Sequence, residues 1–308
     1  MKALMQDFPL TLHHVLWRIE KLFARKEIAT LTDDGMHRIS YGEMALRVRR
    51  LASALQNLGV REGDCIATLA WNNSRHLELY YAVPCIGAVL HTLNLRLSPE
   101  QLAFIANDAK DTIVFVDRTL LPLLDKFVRD VPSVRRVIVL DDEYEGLLSA
   151  AEPVREWPSF DENTPMAMCY TSGTTGHPKG VVYSHRSQFL HAMGATQSAS
   201  IALEESDVVL PIVPMFHANA WGLPYACGMV GATFVLPDRF MGDAEAMIQL
   251  AMNERVTVLA GVPTIWVGVA QKLAGRKLPS VRKVFCGGSA VPRALMEEIG
   301  RASCRERV

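Results

Sequence analysis

Short apolar runs alternate with longer amphipathic stretches along most of this chain, and that alternation restricts its fold more than any other feature. Residues 64–70, 87–93, 112–117 and 137–140 are apolar runs of strand length. Between them the apolar positions take helical spacing, as with Leu77, Tyr80 and Tyr81. Ser98 and Pro99 suit the N-cap and first turn of another helix. Strands joined through helices run parallel, because each connection must cross back over the sheet. The second half repeats the pattern, with strands at 207–213, 233–236, 256–260 and 284–286. Ala244, Met247, Ile248 and Met252 mark one intervening helix, and Pro263 opens the next. The expectation is an α/β chain with two packed, mostly parallel sheets flanked by helices, in sub-regions of about 1–160 and 161–299. Helices are also expected over about 120–129 and 187–202, and residues 141–161 read as a surface connection.

The N-terminal part adds a hairpin and a long helix. Residues 28–32 and 37–40 flank the turn Asp33-Asp34-Gly35. Ser40-Tyr41-Gly42-Glu43 has capping-box form. Met44, Val48, Leu51, Leu55 and Leu58 then keep one helical face, and Gly59 stops it. Arg47, Arg49 and Arg50 fall largely off that face, which reads as a solvated surface rather than a nucleic-acid contact.

Charge supports that choice. Among 308 residues there are 32 basic and 33 acidic side chains, a net charge of -1, so no strong electrostatic footprint for nucleic acid is present. Hydrophobic residues make up 49% of the chain, enough for a large core. The six cysteines (Cys65, Cys85, Cys169, Cys227, Cys286 and Cys304) form no C-x-x-C pair and read as reduced thiols of a cytoplasmic protein. Residues 1–16 lack the apolar segment of a signal peptide, and no run reaches membrane-spanning length.

The chemistry concentrates in Tyr170-Thr171-Ser172-Gly173-Thr174-Thr175-Gly176-His177-Pro178-Lys179-Gly180. An apolar run, 166–169, precedes it, and the β-branched run 181–183 follows. Gly173 and Gly176 let backbone N–H groups converge, the hydroxyls add donors, and Lys179 adds a point charge. That composition suits a phosphate. A P-loop would need Lys followed by Ser or Thr opening a helix; here Gly180 and a strand follow. A flexible hairpin loop is the plain alternative.

This stretch closely resembles the signature loop of the adenylate-forming superfamily, which includes acyl-CoA synthetases, firefly-type luciferases and peptide-synthetase adenylation domains. The resemblance covers roughly residues 10–299. It implies the fold of that superfamily's large N-terminal domain, incomplete here. The downstream Tyr-Gly-x-Thr-Glu segment, the ribose-binding aspartate, the hinge and the lysine-bearing C-terminal domain lie outside the sequence. Residues 300–308 fit neither the preceding amphipathic pattern nor the superfamily, and read as a foreign tail.

The resemblance also assigns roles. Thr171, Ser172, Gly173, Thr174, Thr175, Gly176 and Lys179 would hold the ATP phosphates, with Thr171 on the magnesium side. Pro214-Met215-Phe216-His217 resembles the segment that places a histidine beside the acyl carboxylate and α-phosphate; without the resemblance, His217 reads as a turn-capping histidine. Trp221 would line the acyl entrance, one helical turn beyond His217, although tryptophans at such positions are more often core. Gly288, Ser289 and Ala290, after a strand end, would lie along the adenine. Arg96, in Asn94-Leu95-Arg96, would fix a loop near the site.

The function so implied is an AMP-forming acid–CoA ligase, most like those for medium- or long-chain fatty acids, using ATP, Mg2+ and CoA. Another acid, or luciferase-like oxidation, stays open. So does a fragment that is inactive and at most binds nucleotide. Expected partners are the acid, ATP and CoA, with no nucleic acid and at most peripheral membrane contact. A homodimer is left open.

Overall fold

The structure is a computed structural model and describes Met5, residues 7–171 and residues 178–303. Helix α1 (His13–Lys21) leads into strands β1 (Glu27–Thr32) and β2 (Gly35–Ser40), then α2 (Tyr41–Asn57). Three strand–helix units follow: β3 (Cys65–Leu69) with α3 (Ser74–Cys85), β4 (Val89–Thr92) with α4 (Pro99–Ala109), and β5 (Ile113–Val116) with the short α5 (Leu121–Leu124). Next come β6 (Arg136–Val139), α6 (Asp142–Ser149), β7 (Pro165–Thr171), β8 (Lys179–Ser184) and α7 (His185–Thr196). The last third holds β9 (Val208–Pro211), α8 (Leu223–Val230), β10 (Thr233–Leu236), α9 (Ala244–Asn253), β11 (Val258–Gly261), α10 (Pro263–Leu273), β12 (Lys283–Cys286) and α11 (Arg293–Ala302).

The strands form two sheets, as the alternation predicts. Among the described residues their orders are β12-β11-β9-β10-β1-β2 and β6-β5-β3-β4-β7-β8. Each sheet is parallel except for one antiparallel edge strand, β2 or β8. The second sheet comes from one contiguous stretch, residues 65–184, whereas the first joins strands from the two ends of the chain. The N-terminal hairpin joins the late strands, with Ile28 opposite Phe234, and β7 joins the early ones, with Leu90 opposite Ala167.

The main core lies between the sheets. It combines Val15, Leu16 and Ile19 of α1, Met44, Val48, Leu51 and Leu55 of α2, and much of α3 and α8 with the inner faces of both sheets. A second cluster packs α9, α10 and α11 on the far side of one sheet, and a third packs α4 on the far side of the other. Buried apolar area of this extent is the dominant favourable term in folding.

Several local expectations hold in detail. Ser40 and Glu43 cap α2 reciprocally, and Ser98 with Gln101 does the same for α4, with Pro99 in its first turn. Others need correction. Residues 141–161 contain α6, whose Tyr144 and Leu148 are buried. The stretch expected as a helix over 120–129 breaks into α5 and two 3-10 turns. Helix α7 stops at Thr196, well before 202. The arginines of α2 do not form a solvated face. Arg47 pairs with Glu78 at 2.6 Å and Glu145 at 2.8 Å, and Arg49 pairs with Glu20 at 2.6 Å. Those acids arrive from α1, α3 and α6, so their approach is tertiary and invisible to helical periodicity. Finally, α11 runs through residue 300 to Ala302, with Leu278 N–H bonded to the Ala302 carbonyl at 2.9 Å. Residues 304–308 lie outside the described residues.

Candidate active site

The chain after β9 and the chain after β12 meet where Trp221 faces Gly287 and Gly288, while β7 ends at Thr171. Thr171 ends β7 and Lys179 begins β8, and the two are paired across the hairpin. Both are exposed. Six residues join to Pro178 between them; of the expected phosphate ligands, Ser172, Gly173, Thr174, Thr175 and Gly176 lie outside the described residues. The base of the hairpin is firm. The Tyr170 hydroxyl donates to Asp108 Oδ2 at 2.6 Å, and Cys169 is buried. Desolvation raises the pKa of that thiol, partly offset by hydrogen bonds from the Tyr183 hydroxyl and the Ala218 backbone.

Ala218, whose backbone N–H lowers the Cys169 pKa, belongs to the turn after His217, so this turn lies near the hairpin. After β9, Ile212 and Val213 donate their N–H groups to the Ala260 carbonyl at 2.7 and 2.9 Å, which ties the turn to β11 as well. His217 is exposed. Its pKa is lowered, first by desolvation against the surrounding protein and then by the charge of Arg96. The imidazole is therefore neutral at pH 7 and has one N–H to donate. Arg96 also lies over the Phe216 ring, 6.0 Å from its centroid, so the loop that carries it does approach the site.

Beyond His217 the chain does not form the expected right-handed turn. Ala218, Asn219, Ala220 and Trp221 have φ of 46°, 48°, 48° and 54°, and α8 begins only at Leu223. His217 and Trp221 thus do not share a helix face. Left-handed backbone costs roughly 1–2 kcal/mol per non-glycine residue, so neighbours must hold it. The Ala220 N–H bonds to the Pro214 and His217 carbonyls at 3.2 and 3.3 Å, and the Thr92 hydroxyl donates to Asn219 Oδ1 at 3.2 Å. Asn219 is 1% exposed, and its Nδ2 has no hydrogen-bond partner among the described residues.

The turn aims Trp221 into a groove of about 530 Å³. Its walls include His191 of α7, Ile201, Phe285 of β12, Gly287 and Gly288. A Cβ on Gly287 would lie 3.4 Å from Trp221 Cη2, and Gly288 has a φ of +87°, so the chain passes close under the indole where a glycine can turn. Ser289 and Ala290 follow and are exposed. His191, Phe285 and Asn219 carried no sequence signal; they enter through the pairing of distant elements.

Thr171, the residue expected on the magnesium side, is exposed at the end of β7. Its hydroxyl oxygen is a hard donor at the mouth of the loop, and Mg2+ usually takes few protein ligands beside substrate phosphates. No cluster of three or more His, Cys, Asp or Glu suited to a metal occurs among the described residues. No helix among them is long and apolar enough to cross a membrane.

Comparison with known proteins places the chain in a family. The chain is 44% identical over 314 aligned positions to a long-chain-fatty-acid–CoA ligase of Thermus thermophilus, covering 98% of this chain and 57% of that protein. It is 42% identical to a 3-methylmercaptopropionyl-CoA ligase of Ruegeria lacuscaerulensis, covering 95% and 57%. It thus spans little more than half the length of these relatives. Its fold matches the N-terminal domain of FACL13 from Mycobacterium tuberculosis, solved with an inhibitor, with a TM-score of 0.85 at 28% identity over 94% of this chain and 72% of that one. Residues 21–308 match the AMP-binding enzyme family, and the chain belongs to it.

Proposed function

We propose that this chain is the nucleotide- and acid-binding part of an AMP-forming acid–CoA ligase acting on fatty acids. The observation that carries the reading is an apolar groove at Trp221, lined also by Phe285 and Gly288, on the left-handed turn that follows His217.

The acid's carboxylate oxygen attacks the α-phosphorus of ATP, the bond from that phosphorus to the α–β bridging oxygen breaks, and its electron pair leaves with pyrophosphate. Lys179, Thr171 and residues 172–176 hold the phosphates and offset charge on the leaving group. Thr171 would help hold magnesium, which would supply neutralisation of phosphate charge. The His217 N–H orients the carboxylate, which raises the effective concentration of the reacting oxygen. Gly288, Ser289 and Ala290 lie along the adenine. The thiol of CoA then attacks the acyl carbonyl carbon, AMP leaves, and the thiol proton is released. The acyl chain runs past Trp221 into the groove.

A short acid is the second reading, favoured by the similarity to the 3-methylmercaptopropionyl-CoA ligase. The test uses a protein that continues this chain to the length of its relatives. Thioester formation is measured with acetate, octanoate and palmitate. The fatty-acid reading expects kcat/KM to rise with chain length. A maximum at acetate favours the short acid, and no turnover of any acid overturns both.

A further inference from the structure

We infer that Asn72, on the turn after β3 in the opposite sheet, is a positioning residue for His217; the inference rests on the function proposed above. Asn72 is 0% exposed and uses all the hydrogen-bonding groups of its side chain on one segment. Its Nδ2 donates to the carbonyls of Pro211 and Val213, both at 3.0 Å, and its Oδ1 accepts the Met215 N–H at 2.7 Å. A primary amide has two N–H donors, and here both are used in the same stretch of five residues. That stretch ends two residues before His217.

The turn that carries Asn72 is itself fixed. Trp71 N–H bonds to Asp117 Oδ2 at 2.7 Å, and His76 Nδ1 lies 2.9 Å from the Trp71 carbonyl. Asn73 Oδ1 accepts the His76 N–H at 2.9 Å, capping α3. Two further contacts converge on the His217 segment from the same side. The Tyr80 hydroxyl of α3 donates to the Met215 carbonyl. The Trp71 ring meets Phe216 edge-on, with centroids 6.1 Å apart at 78°. The segment between β9 and His217 is therefore held by the β3–α3 connection of the other sheet. Ionised aspartate, although nearly the same shape, only accepts and would face the Pro211 and Val213 carbonyls without a proton to offer.

The test reads His217 directly. Imidazole Cε1–Hε1 resonances of the 308-residue chain are recorded in wild type, Asn72→Asp and Tyr80→Phe, with His217→Gln for assignment and the exposed His37 as an internal control. The expected result is a moved or broadened His217 resonance, with a shifted titration midpoint, in both folded variants and an unmoved His37. An unchanged His217 resonance and titration in either folded variant overturns the inference. If Asn72→Asp does not fold, Tyr80→Phe decides, since it removes a single hydroxyl. In a protein of the relatives' length, Asn72→Asp is expected to lower kcat on the order of 10-fold or more, with the KM for ATP nearly unchanged; an equal rise in the KM for ATP with kcat intact would count against positioning. Absence of any acid activation by wild type would sink the functional reading, while the His217 resonance would still decide the placement.

Discussion

The Trp221 indole meets the Phe285 ring edge-on, with centroids 5.8 Å apart and planes at 74°. This pair lines the groove between the His217 turn and β12. In a protein of the relatives' length, Trp221→Ala should alter acyl-chain selectivity more than nucleotide binding. Lost contacts are worth about 0.8 kcal/mol per unburied methylene, or roughly fourfold in kcat/KM. The measurement is kcat/KM across acids of increasing length beside the KM for ATP. A preserved length profile with a large rise in the KM for ATP would refute the acyl-wall role.

Arg47 holds Glu78 in the core. Glu78 is 1% exposed, and it accepts from the Tyr144 hydroxyl at 2.5 Å as well as from Arg47. Burial raises its pKa, and the guanidinium opposes that rise. Arg47→Ala leaves this carboxyl without its charge partner and should destabilise the chain by about 3–5 kcal/mol. Adding Glu78→Gln to it should recover part of the loss. Urea midpoints check both, and equal stability of the single variant and wild type would contradict the account.

Two fully buried histidines set an acid limit on stability. Burial lowers the pKa of His76 to about 4 and of His185 to about 3, against 6.5 in the unfolded chain. Above pH 6.5 both states are neutral and the two groups add no pH dependence. Below it the unfolded chain binds protons that the folded chain refuses, so these groups lower stability as pH falls from about 6.5 towards 4 and then 3. Melting temperatures across that range should fall, and His76→Gln should flatten the slope. A slope unaffected by removing His76 would show that other groups govern it.

Lys179 stands opposite Thr171 at the base of the phosphate hairpin. Lys179→Ala should slow acid activation by about 100- to 1,000-fold, because one charge on the leaving pyrophosphate goes uncompensated. Melting temperature should barely change, since the side chain is exposed. Full activity in the variant would remove Lys179 from the mechanism.

The fold was legible because local signals agreed with one another. Ser40, Ser98 and Pro99 mark helix starts by backbone chemistry, and the hydroxyl–glycine–lysine stretch carries the donors on which the proposed phosphate role rests, with Thr171 and Lys179 paired at its ends. The turn after His217 was not legible. Its residues would tolerate a right-handed helix, and the left-handed course depends on partners such as Thr92, 127 residues away from Asn219. The sheet membership of β1 is equally non-local, since Ile28 pairs with Phe234. The same holds for Arg47, whose partners lie on α3 and α6.

The central claim is that an acid carboxylate meets the α-phosphate of ATP beside His217, with the phosphates on the Thr171–Lys179 hairpin. Acid-dependent exchange of labelled pyrophosphate into ATP, without CoA and in a protein of the relatives' length, tests it most directly. The account predicts exchange that requires a fatty acid and falls sharply in both His217→Ala and Lys179→Ala. Exchange that proceeds equally without an acid, or that both variants leave intact, would contradict it.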